Sequence, residues 1–194
     1  TSLIHDRAAL AGQQAIVDAD DTMIPQHLSW TLHAPAEVAG TVTDAAGAPI
    51  GALALEPYLG PCRVVHAIGC GALVEWHHVA HAIDAALPPR VLVRTYAQMP
   101  IAHWDGALAG CAPATVERLA DLGVRLIGVD TASIDPADSK HLEAHQVVRR
   151  RELRVLENLV LDDVAEGDYE LIALPLKLTT ADASPVRAVL RTLR

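Results

Sequence analysis

The feature that most constrains this 194-residue chain is a series of short apolar, β-branched runs closed off by Gly, Pro and Asp. Arg63-Val64-Val65-His66-Ala67-Ile68 is one, and Arg90-Val91-Leu92-Val93-Arg94-Thr95 is another. Residues 124–129, 155–161, 169–176 and 185–193 continue the series. Such runs predict buried strands. Between them lie stretches of helical spacing. Residues 75–86 stop before Pro88-Pro89, as helices do. Residues 113–122 carry Pro near the start and Gly123 just past the end. Residues 140–150 make a third. Strands alternate with helices early and run together late. The expected fold class is therefore α/β with a mixed sheet, not an all-parallel one. The segments around Val64, Val91, Ile127, Leu159 and Ile172 should be strands of one sheet system.

Composition supports a packed interior. Apolar residues make up 51% of the chain, whereas a disordered chain combines low hydrophobicity with high charge. Phe is absent and Trp and Tyr number three each, so the core must rest on Leu, Val, Ile and Ala. The length suits one domain over residues 1–194 and is a tight fit for two. A formal net charge of −9, without a basic stripe, argues against nucleic acid and against an anionic membrane surface. One basic cluster, Arg149, Arg150, Arg151 and Arg154, reads as a solvated helix end whose cations favour the helix dipole. Cys62, Cys70 and Cys111 are odd in number and irregular in spacing. They give no disulfide framework, suit a reducing compartment and should pack as small apolar groups. No apolar run approaches a membrane span, and no charged segment followed by an apolar one opens the chain. A soluble cytoplasmic protein is expected.

Few polar residues stand out by position alone. Asp130, Ser133 and Asp135 follow a predicted strand. Polar loops at strand ends border sites in α/β folds, and they also form turns with no function. His77 and His81 lie four apart on a predicted helix and could face one metal, but a solvent face accounts for them as well. His141 is one helical turn from His145 and reaches no further than a supporting role.

Longer blocks carry a resemblance. Asp44-Ala45-Ala46-Gly47-Ala48-Pro49-Ile50-Gly51 is followed by Tyr58-Leu59-Gly60-Pro61-Cys62-Arg63-Val64. Leu126-Ile127-Gly128-Val129-Asp130-Thr131 precedes Asp135-Pro136 and Asp138-Ser139-Lys140. Leu156-Glu157-Asn158-Leu159-Val160-Leu161 leads into Gly167-Asp168-Tyr169-Glu170-Leu171-Ile172, and Ser184-Pro185-Val186-Arg187 follows. Ordered and spaced in this way, residues 44–194 resemble the bacterial kynurenine formamidases of the metal-dependent cyclase family. That resemblance implies a swivelling β/β/α, cyclase-like domain and a homodimer. It implies a divalent metal, usually zinc, and a small-molecule substrate. The implied reaction is hydrolysis of N-formyl-L-kynurenine to L-kynurenine and formate in tryptophan catabolism.

Two groups of metal ligands follow from the same resemblance. A His on a helix and a Glu twelve residues later match His145 and Glu157. Imidazole nitrogen and carboxylate oxygen are the ligand types zinc takes. The other group is a His-x-Gly-x-His-x-Asp motif with a further His four residues on. Residues 1–43 diverge from the family here. In register, Thr31, Pro35, Glu37 and Thr41 occupy the four positions, and only Glu37 keeps a ligand type. His33 and His27 are near but out of register. With Thr41 at the last His, no acid/base residue is assigned. Three readings stand side by side: a site rebuilt from His33, Glu37 and His27, a catalytically silent homologue that acts by binding, and a locally different structure. Another cyclase-family amidohydrolase, with a different amide or lactam substrate, is also open, because fold does not set function.

Overall fold

The structure is a computed structural model that describes residues 49–181 and 183–193 together with the backbone of residues 23–24. In chain order the strands are β1 (Met23–Ile24), β2 (Leu59–His66), β3 (Leu73–Val74), β4 (Arg90–Arg94), β5 (Gly110–Cys111), β6 (Leu126–Val129), β7 (Arg154–Leu156), β8 (Gly167–Ile172) and β9 (Val189–Thr192). The helices are α1 (Trp76–Val79), α2 (Pro113–Asp121) and α3 (Glu143–Arg150). Seven of these strands form one sheet in the order β1-β9-β8-β2-β4-β6-β7, and β3 pairs with β5 in a small second sheet. Neighbours from β2 through β4 and β6 to β7 run parallel. Strands β8 and β9 close the other side antiparallel. The mixed α/β sheet expected from the order of elements is present.

Successive residues on the central strands join different clusters. Val91, Val93, Ile127, Val129 and Val155 pack with Val116 and Leu119 of α2 and with Ala144, Val147 and Val148 of α3. Leu92, Leu126, Leu156 and Val64 pack instead with Leu159, Leu161, Tyr169, Leu171 and Leu190. This is the period of two in a strand, with both faces covered. It explains why β4 and β6 are apolar throughout. Gly128 marks the tightest point: a Cβ there would lie 2.6 Å from a Leu159 methyl and would also strike the Leu92 side chain.

Four expectations need correction. The predicted helix over 75–86 is only α1 followed by a 3-10 turn at Ala80–Ala82. Arg63 draws the chain away, because its Nη1 donates to the Ala82 carbonyl at 2.9 Å and to the Asp84 carboxylate at 2.8 Å. The strand expected over 155–161 ends at Leu156. Past it, Asn158 adopts φ 61° and donates its N–H to the Thr131 carbonyl at 2.8 Å, turning the chain off the sheet edge. The last two strands are shorter than expected, at six and four residues. Finally, the arginine cluster is not simply solvated. Arg150 pairs with Glu117 of α2, and Arg151 bridges Glu117 at 2.8 Å and Asp121 at 2.6 Å. None of the helices among the described residues is long and apolar enough to cross a membrane.

Candidate functional site

Parallel strands β4, β6 and β7 end at the same edge, and three connections leave from there. The carboxyl end of parallel strands is where α/β folds place their ligands. Asp130, directly after β6, ties two of the connections together. Its carboxylate accepts from the Thr95 and Tyr96 N–H groups at 2.8 Å each and from the Thr95 hydroxyl at 2.7 Å. Burial raises the Asp130 carboxyl above its ordinary range, and these three donors only partly offset that.

The 130–139 loop then bends under β5 before α3 begins. Cys111 of β5 donates its N–H to the Ile134 carbonyl at 2.6 Å. Gly110 lets the loop approach: a Cβ there would sit 2.5 Å from Pro136 Cδ and 2.7 Å from its nitrogen. Within the loop, Thr131 donates its hydroxyl to the Ser133 carbonyl at 2.7 Å. The second small sheet thus acts as a buttress for the loop.

His145 and Glu157, expected together from the resemblance, meet here. His145 lies in the first turn of α3, and its Nε2 is 3.5 Å from Glu157 Oε1. The Ile134 N–H donates to that same Oε1 at 2.9 Å. Both side chains are about 10% exposed. The other ring nitrogen, Nδ1, is 2.6 Å from Asp135 Oδ2. Asp135 also accepts from the N–H groups of Ala144 at 2.7 Å and His145 at 3.0 Å. Burial pushes the Glu157 carboxyl up to about 7, against the pull of His145, and the nearby Asp135 adds to the rise. Burial also works to raise Asp135, but the His145 ring and the two helix N–H groups outweigh it and leave that carboxyl below its ordinary range.

The donor set fits a metal. Two ligands at about 2.1 Å on a tetrahedral ion would stand about 3.4 Å apart, and the 3.5 Å between His145 Nε2 and Glu157 Oε1 matches that spacing. A ring held by a carboxylate on its far nitrogen is the usual arrangement behind a metal-bound imidazole. Among the described residues, however, no group of three or more His, Cys, Asp or Glu side chains is placed to hold a metal ion. The remaining candidates, His33, Glu37 and His27, lie outside the described residues.

Other candidates fall elsewhere. His81 is exposed and its Nε2 lies 2.8 Å from Glu166, while His77 is exposed beside Glu75 at 3.4 Å. His141 is exposed, and the contact seen is its carbonyl accepting from Gln146. Cys62 and Cys111 are buried and Cys70 partly so, all as free thiols. Asp135 was no more than a polar loop residue by sequence. The signal that could have raised it is the start of α3. Leu142 at the N-cap position offers no side-chain acceptor, so the first N–H groups need one from a distance.

No family model matches the chain. Individual proteins do. The chain is 63% identical over 187 residues to a kynurenine formamidase of Paracidovorax citrulli, covering 95% of this chain and 84% of that one. A kynurenine formamidase of Delftia acidovorans is 73% identical over 150 residues, covering 77% and 71%. Among solved structures, a potential metal-dependent hydrolase with cyclase activity superimposes with a TM-score of 0.68 at 27% identity, covering 77% of this chain and 73% of the other. A predicted metal-dependent hydrolase from Bacillus stearothermophilus reaches 0.64 at 24% identity, covering 88% and 96%, and shares the fold. By sequence identity over most of its length, this chain belongs to the kynurenine formamidases.

Proposed function

We propose that the chain is a metal-dependent amidohydrolase that cleaves N-formyl-L-kynurenine to L-kynurenine and formate. The observation that carries this reading is the buried His145–Glu157 pair, 3.5 Å apart, at the carboxyl end of the parallel strands. It is supported by the kynurenine formamidases to which the chain is 63% and 73% identical. His145 Nε2 and Glu157 Oε1 would hold a divalent ion, with zinc the first choice for this donor set. His33 and Glu37 are proposed as the further donors.

When bound, such an ion supplies Lewis acidity, polarising a carbonyl and lowering the pKa of water. The chain's own residues do the rest. Asp130 locks the β4 and β6 connections to each other. Ile134 turns the Glu157 carboxyl toward His145 with its N–H. Burial of both side chains keeps bulk water from competing for them. In the reaction, water adds to the formyl carbon, the amide C–N bond breaks, and the aryl nitrogen leaves with a proton. The products are an arylamine and formate, so atoms balance without an oxidant or reductant.

On the same reading the protein works in the cytoplasm as a homodimer, which light scattering at micromolar concentration would check. The direct test is metal content and N-formylkynurenine turnover of the purified full chain. Stoichiometric zinc that survives dialysis, with turnover lost in Glu157→Gln and in His33→Ala, is the expected result. A folded protein with neither zinc nor turnover would favour the catalytically silent homologue, which the replaced motif at residues 31–41 also fits.

A further inference from the structure

We propose that Asp135 is the positioning residue of this site: its carboxylate turns the His145 ring and sets the tautomer, with the hydrogen on Nδ1 and the lone pair on Nε2, the nitrogen on the side of Glu157. This rests on the reading of His145 as a metal ligand.

The argument begins at the helix. An α-helix opens with N–H groups that have no partner inside it. Ordinarily a Ser, Thr, Asp or Asn at the N-cap position takes one of them. In α3 that position is Leu142, in the left-handed conformation at φ 51°, with no side-chain cap. Asp135, seven residues upstream of Leu142 in the loop, supplies the missing acceptor. Oδ1 receives the Ala144 N–H and Oδ2 receives the His145 N–H. The cap is therefore non-local, and it fixes the helix start to the loop after β6.

One of the two capped residues then returns to the same oxygen. His145 Nδ1 is 2.6 Å from Asp135 Oδ2. An ionised carboxylate only accepts, so the ring nitrogen facing it must carry the hydrogen. A neutral imidazole has one such hydrogen, and Nε2 is left with its lone pair. The partner of one ring nitrogen decides what the other can do. Asp135 is 1% exposed, so water does not replace it. Because cap and ring share one carboxylate, the turn of helix and the aim of the ring cannot drift apart. The loop holding Asp135 is itself braced by Gly110 and Cys111 of β5, and its Ile134 N–H aims Glu157. Both proposed donors are thus oriented from two adjacent residues, Ile134 and Asp135.

The experiment uses the metal-stripped full chain, labelled with 15N in its imidazoles. Spectra are taken at alkaline pH, where an imidazole is neutral. Loss of one ring's signals in His145→Gln identifies His145. The expected result is hydrogen on Nδ1 and none on Nε2. In Asp135→Asn, which keeps the shape but loses one acceptor, the tautomers should mix or reverse. Zinc alone, measured by competition with a chromophoric chelator, should bind roughly 10–100-fold more weakly to that variant. Hydrogen on Nε2 in the wild type would overturn the proposal, and so would an Asp135→Asn variant with unchanged tautomer and zinc affinity. Should that variant fail to fold, the wild-type ring still decides. Absence of zinc binding in the wild type would sink the metal reading and leave the tautomer result standing by itself.

Discussion

Glu157 is a carboxyl group enclosed by protein, with an imidazole on one side and a second carboxylate near it. Burial lifts it from 4.5 to about 7. A native state with the higher value binds more protons than the unfolded chain between those limits, so stability must fall as pH rises through them. In the metal-free protein the loss should be on the order of 2 kcal/mol between about pH 4.5 and pH 7. Urea unfolding in the presence of a chelator would measure it. Glu157→Gln, which cannot ionise, should flatten that slope, and an unchanged slope would refute the assignment. Gly128 makes a steric counterpart. Its missing Cβ is the space into which Leu92 and Leu159 pack from either side. Gly128→Ala should lower the unfolding free energy by about 1–3 kcal/mol, read as a lower urea midpoint at an unchanged m-value, as overpacking of a core does.

At the scale of elements, α3 is held by two different kinds of contact. Its inner stripe, Ala144, Val147 and Val148, is buried in the cluster under the sheet. Its C-terminal end is paired to α2 through Arg150, Arg151, Glu117 and Asp121, whose side chains are 31% to 65% exposed. Exposed pairs contribute little and are screened by salt. Arg151→Ala should therefore move the urea midpoint only slightly, with the difference gone at high salt. Val147→Ala should cost about 2 kcal/mol at any salt, because it leaves a cavity. Equal losses in the two variants would show that the ion pairs carry the helix. The small sheet of β3 and β5 offers a different case. A Cβ on Gly110 would press on Pro136, one residue past Asp135. Gly110→Ala should weaken zinc binding more than it lowers the unfolding temperature, read by chelator competition and by calorimetry.

For the whole molecule, a ligand that binds only the folded state stabilises it by mass action. At zinc a hundred times above its dissociation constant, the gain is about 2.7 kcal/mol. Wild-type protein should show that gain as a raised unfolding temperature, and Glu157→Gln should not. An equal rise in both would place the ion elsewhere.

Sequence alone located the central strands and the class of fold. Runs such as Val91-Leu92-Val93 are apolar on both faces, and only a central strand of a covered sheet satisfies that pattern. The resemblance in residues 44–194 named the family and pointed to His145 and Glu157, because those positions sit in long, ordered blocks. Local chemistry could not reveal what happens where the chain meets itself. Helix 75–86 looked whole until Arg63, far upstream, took the Ala82 carbonyl. The strand after Arg154 looked longer until Thr131 captured the Asn158 N–H. Asp135 looked like an ordinary loop residue because its partners are nine and ten residues away, on a helix that hides its need for a cap. Propensity and periodicity act between near neighbours. Hydrogen bonds between elements depend on which strand ends beside which, and only the folded sheet decides that.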